Sequence, residues 1–63
     1  MIGQQLKLIR KARKRTQTWV AREVGTTKSY ICLIENDKRD PSLRVLKEIC
    51  ESLNAEIRII PKL

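Results

Sequence analysis

The stretch Val24-Gly25-Thr26-Thr27 interrupts two apolar-patterned segments, and this break constrains the fold more than any other feature. Gly25 is the residue best able to take a positive φ, so it ends whatever helix precedes it. Thr27 follows almost at once and can cap a new helix. Upstream, Thr16 is a candidate cap for Gln17 to Val24, which sets Val20, Ala21 and Val24 on one face. Downstream, Lys28 to Asn36 turns Ile31 and Ile34 inward. Two short helices joined by about three residues cross at a steep angle, and the small Ala21 allows the close approach.

The flanks follow from the same kind of punctuation. Ile2, Leu6, Ile9 and Ala12 recur at helical spacing, which predicts an amphipathic helix over 2–14 with Lys7, Arg10, Lys11 and Lys14 outside. Its last turn is crowded with Lys11, Arg13, Lys14 and Arg15, cations that a helix C-terminus itself favours. After the polar turn Asn36-Asp37-Lys38-Arg39-Asp40-Pro41, Ser42 caps a fourth helix expected to bury Leu43, Leu46, Ile49, Cys50 and Leu53. The period then changes: Glu56-Ile57-Arg58-Ile59-Ile60 alternates like a short strand, and Pro61 stops it.

Sixty-three residues allow one domain, 1–63, near the lower limit for independent folding. With one Trp, one Tyr and no Phe, its core has to be aliphatic. A net charge of +7 suits a chain that meets a polyanion, nucleic acid first and an anionic surface second. The absence of His excludes a His general base, a Ser/His triad and a Cys2His2 zinc site. No residue constellation supports an enzyme, a metal or another cofactor. Cys32 and Cys50 are expected to be small apolar residues or bystanders rather than a disulfide. There is no signal-peptide order at the N-terminus and no apolar run of membrane length, so a soluble, cytoplasmic protein without membrane partners is expected.

Two short helices about a Gly-containing turn on a basic chain are the ingredients of a helix-turn-helix, here 17–36, whose second helix enters the major groove. The run from Thr16-Gln17 through Ala21, Gly25 and Ile31 to Ile34-Glu35-Asn36, with Lys38-Arg39-Asp40-Pro41-Ser42 after it, resembles phage repressors, Cro and Xre-type regulators. The resemblance covers about 10 to 54. The tail Ser52-Leu53-Asn54-Ala55-Glu56-Ile57-Arg58-Ile59-Ile60-Pro61 looks like the short β-ending of HipB-type antitoxins. The resemblance implies a mainly α fold: a four-helix, lambda-repressor-like helix-turn-helix domain with a C-terminal strand pairing across a homodimer. It implies a DNA-binding repressor of its own operon with a HipA-like kinase toxin as partner. A stand-alone repressor without a toxin is the alternative, and an RNA or anionic-surface binder is a weaker one.

Roles follow by position. The resemblance makes Gln17 a phosphate contact that also buttresses the reading helix, and pairs Arg10 with Glu35 as a structural ion pair. Thr27 can offer its hydroxyl to a phosphate. Lys28, Ser29 and Leu33 are the base-reading candidates: Lys28 for guanine O6 and N7, Leu33 for a thymine methyl or else an extension of the core. Cys32 is a weaker reader, and Tyr30 either meets a phosphate or is partly buried. Asn36, Lys38 and Arg39 fit backbone contacts, although a solvated turn is the plain reading of Lys38 and Arg39. Trp19 stands where a capping-box acid or Gln is common in the family, and either packs against the first helix and a Lys stem or meets a partner. Asp37 replaces a common Gly at a left-handed site.

Dimerisation is expected through Glu56, Ile57, Arg58 and Ile59, antiparallel to the same segment of a second chain. Centring the pairing on Ile57 sets Glu56 opposite Arg58, whereas centring it on Arg58 sets two arginines face to face. Such a dimer requires an inverted-repeat operator in double-stranded DNA, with half-sites roughly 34 Å apart or a multiple.

Overall fold

The structure is a computed structural model and describes residues 2–56. It consists of four helices: α1, Ile2–Ala12; α2, Gln17–Val24; α3, Lys28–Glu35; and α4, Leu43–Ser52. Helix α2 packs on both α3 and α4, and α1 lies on α3. Leu6, Val20, Ala21, Ile31, Ile34, Ile49, Cys50 and Leu53 form one buried aliphatic cluster. Each fully buried Ile or Val contributes about 1.5–3 kcal/mol.

Side-chain hydroxyls start three of the helices. Thr16 accepts the Trp19 N–H at 3.0 Å, Thr27 that of Tyr30 at 3.2 Å, and Ser42 that of Val45 at 3.2 Å. Each cap contributes about 1 kcal/mol by satisfying an otherwise unpaired donor. All four helices end through a residue in the left-handed region: Lys14 (φ 56°), Gly25 (81°), Asp37 (57°) and Asn54 (56°). The next N–H reaches back across the final turn in each case: Arg15 to Arg10, Thr26 to Ala21, Lys38 to Leu33 and Ala55 to Cys50. At Gly25 an added Cβ would meet no neighbouring atom, so glycine is favoured there by the backbone angle alone.

Gly3 is needed for a different reason. It is buried where the start of α1 meets the end of α3, and an added Cβ would collide with the Ile34 carbonyl oxygen. The Gly3 N–H donates to Asp37 Oδ1 at 3.1 Å, and the Gln4 amide donates to the Glu35 carbonyl at 3.2 Å. The positive end of α1 therefore rests on the negative end of α3, with the Asp37 carboxylate between them. This bond compensates the strain of a non-glycine residue at that turn.

Some sequence expectations need correction. Helix α1 stops at Ala12 rather than 14, with Arg15, Lys14 and Arg13 forming the closing turn. Ile2 and Ala12 are exposed, Leu43 is 70% exposed, and Leu46 is only partly buried. Periodicity identified the apolar face of each helix, but the terminal turns project beyond the core: the buried residues of α4 are Ile49 and Cys50, in its second half. Arg10, expected on the outer face of α1, is buried, because its ion pair with Glu35 of α3 draws the guanidinium inward. The expected strand falls largely outside the described residues, where Ile57, Arg58, Ile59 and Ile60 lie; Glu56 is described and exposed. No strand occurs among the described residues. None of their helices is long and apolar enough to cross a membrane.

Candidate nucleic-acid interface

The rear of α3 is fixed by a polar hub. Arg10 donates to both oxygens of Glu35, Nε to Oε2 at 2.7 Å and Nη2 to Oε1 at 3.1 Å. The Gln17 amide adds a bond to Oε1 at 3.1 Å, and Arg10 Nη1 donates to the Arg15 carbonyl at 2.8 Å. One guanidinium thus joins α1, the α1–α2 turn and α3, while Gln17 ties in the start of α2. The side chains of Arg10 and Glu35 are 10% and 4% exposed, so removing either would strand a charge in the interior. Glu35 lies at the negative end of its helix, where a cation is needed to offset it.

With its rear fixed, α3 turns Lys28, Ser29, Cys32 and Leu33 outward to line a shallow open groove of about 440 Å³. Leu33 is 41% exposed, so it does not extend the core. Thr27 stands at the head of this face, exposed apart from its cap. At the other end, the Asn36 side-chain amide donates to Cys32 Sγ at 3.3 Å, and Lys38 and Arg39 are exposed in the following loop. Of the sequence-nominated residues, Lys28, Ser29 and Leu33 therefore share one face with Cys32, while Gln17 faces the hub. Both cysteines are free: Cys32 is partly exposed, and burial pushes the Cys50 thiol above its ordinary pKa.

A second groove, of about 720 Å³, runs from the end of α1 to the head of α3. Arg10, Lys11, Lys14, Arg15 and Lys28 line it with Thr16, Gln17 and Thr18, and no carboxylate is among the lining residues. In the sequence, Lys11, Lys14 and Arg15 belong to the run of cations that a helix C-terminus favours. Their convergence with Lys28 depends on the turn at Lys14, which composition does not signal. Sequence reasoning also missed two ring contacts. The Arg15 guanidinium lies 4.3 Å from the Trp19 ring centroid, and that of Arg39 lies 5.5 Å from the Tyr30 centroid. The four-residue spacing of Arg15 and Trp19 was visible, but it crosses a helix boundary.

Known proteins share this arrangement of sequence. A helix-turn-helix family model matches residues 6–60. The immunity repressor protein of Bacillus phage phi105 is 37% identical over 59 residues, covering 94% of this chain and 41% of the relative. An "Uncharacterized HTH-type transcriptional regulator y4dL" of Sinorhizobium fredii (strain NBRC 101917 / NGR234) is 36% identical over 61 residues, covering 97% of this chain and 31% of the relative. The chain thus spans well under half the length of either protein. With a matched family model spanning most of its length and the two helices and turn in place, the chain belongs to the Xre-type helix-turn-helix family of DNA-binding transcriptional regulators.

Proposed function

We propose that the protein is a transcriptional repressor that binds an inverted-repeat operator as a homodimer, with α3 in the major groove. The observation that carries this reading is the outward set Lys28, Ser29 and Leu33 on a helix whose other side is immobilised by Glu35, beside a groove lined by Lys11, Lys14, Arg15 and Lys28 in addition to the ion-paired Arg10. Lys28 reads guanine, Leu33 meets a thymine methyl, and Thr27, Asn36, Lys38 and Arg39 set register on phosphates. Similarity to a protein described as an immunity repressor supports the repressing role. Selection from a random duplex library tests it. Enrichment of a two-fold symmetric site with half-sites roughly 34 Å apart or a multiple supports the reading, and no enrichment, or equal binding to structured RNA, overturns it.

A second reading adds an antitoxin role of the HipB type, with a HipA-like kinase toxin as partner. It rests on the resemblance of Ser52 to Pro61 to the ending of those proteins, in which Glu56, Ile57, Arg58 and Ile59 pair across the dimer. Co-purification with the product of an adjacent kinase-like gene supports it; independence from any such neighbour leaves a stand-alone repressor. Lysines in place of Ile57 and Ile59 should give monomers with much weaker operator binding. A persistent dimer would move the interface elsewhere, with α4 the first place to look.

A further inference from the structure

The chain has one Trp and one Tyr, and each carries an arginine. Both rings are partly buried against the core, so they are anchored, whereas Arg15 and Arg39 are exposed. Helix geometry sets the two pairs on opposite sides of the reading face. At 100° per residue, Lys28 lies to one side of Ser29 and Tyr30 to the other. Arg15 shares the cationic groove with Lys28, and Arg39 leans on Tyr30. We infer that Arg15 and Arg39 grip the phosphates of the two walls of the major groove, and that Trp19 and Tyr30 are the positioning residues that hold them ready. The inference rests on the DNA-binding reading above.

A free exposed arginine loses much rotamer freedom when it binds. One already held against a ring loses less, while its edge N–H groups still point outward to form a fork on phosphate oxygens. The backbone of Arg15 is fixed as well, since its carbonyl accepts from Arg10. Neither ring lines the two grooves that flank α3, and both are partly buried, so the role assigned to each is to position its arginine.

Phosphate grips act on any sequence, so a 20-bp duplex of mixed sequence is the probe, with affinity followed by anisotropy across a salt series. Arg15→Ala and Arg39→Ala should each reduce the log-log salt slope by about 0.9. Trp19→Leu and Tyr30→Leu should weaken binding roughly two- to tenfold, the cost of ordering one long side chain. The decisive measurement is coupling: Trp19→Leu should cost nothing further once Arg15 is Ala, and Tyr30→Leu nothing further once Arg39 is Ala. A merely structural ring would weaken binding equally in both backgrounds, and that result, or unchanged affinity in the single ring variants, overturns the inference. Should Trp19→Leu fail to fold by circular dichroism, the Tyr30 and Arg39 cycle decides the matter alone. If the wild-type chain binds no duplex at all, the DNA-binding reading itself fails, an outcome distinct from tight binding without coupling.

Discussion

The rear of α3 buries Ile31, Ile34 and Glu35, and Glu35 has every side-chain oxygen bonded; its front leaves Lys28, Ser29 and Leu33 in solvent. Eight residues thus separate two tasks by a half turn of helix. Substitutions at the rear should appear in the melting temperature, and those at the front in the choice of base. Four measurements would break or sharpen this contrast.

The largest effect belongs to Arg10→Ala, which leaves Glu35 charged and buried. It should cost about 3–5 kcal/mol in denaturant unfolding with an unchanged m-value, whereas Arg10→Met with Glu35→Leu should recover much of the loss. A single variant as stable as the wild type would show that the rear is not the stabilising side. Next is Gly25→Val, which forces a β-branched residue into the left-handed region and should cost about 1–2 kcal/mol, read as a lowered melting temperature. Because the added atoms would meet open space, DNA affinity should fall only as far as the fold does.

At the front, Leu33→Ala should change stability by no more than about 0.5 kcal/mol yet relax selection at one base pair in a selected library. A large stability loss would place Leu33 with the core after all. The smallest effect is chemical: a thiol reagent near neutral pH should label Cys32 well before Cys50. Burial holds the Cys50 thiol in its neutral form, so its folded pKa exceeds the unfolded one. The associated stability is present below the ordinary thiol value and is lost as pH rises above it, and Cys50→Ala should remove that alkaline slope. Equal labelling rates at both cysteines would contradict the contrast in burial.

The local parts of this design were legible in the sequence. Thr16, Thr27 and Ser42 cap the helices that follow them, and Gly25 turns where a glycine is needed, because each device involves residues within one turn of each other. Leu43 and Ile2 were misplaced because periodicity tells which way a side chain faces but not how far the neighbouring helices extend. The left-handed ends at Lys14 and Asn54 carried no glycine to mark them. Asp37 could be read as a left-handed residue, yet its bond to Gly3 could not, since the partner is 34 residues away. The cationic groove was hidden for the same reason: its lining comes from three helices and the turn between the first two.

The reach of α1 has a consequence for how the chain is made. Its Gly3, Gln4 and Arg10, with Arg13 of the turn that closes it, bond to Asp37, Glu35, Leu53 and Asn54, across sequence separations of 25 to 41 residues. Helix α1 is synthesised first, but every one of these partners emerges from the ribosome later. At roughly 5–20 residues per second, the nascent helix waits seconds for the groups that complete it. The contacts between α2 and α3 are local, but α2 packs on α4 as well and is completed only with it. Closure of the domain therefore waits for Leu53 and Asn54, which makes the end of α4 the latch of the fold.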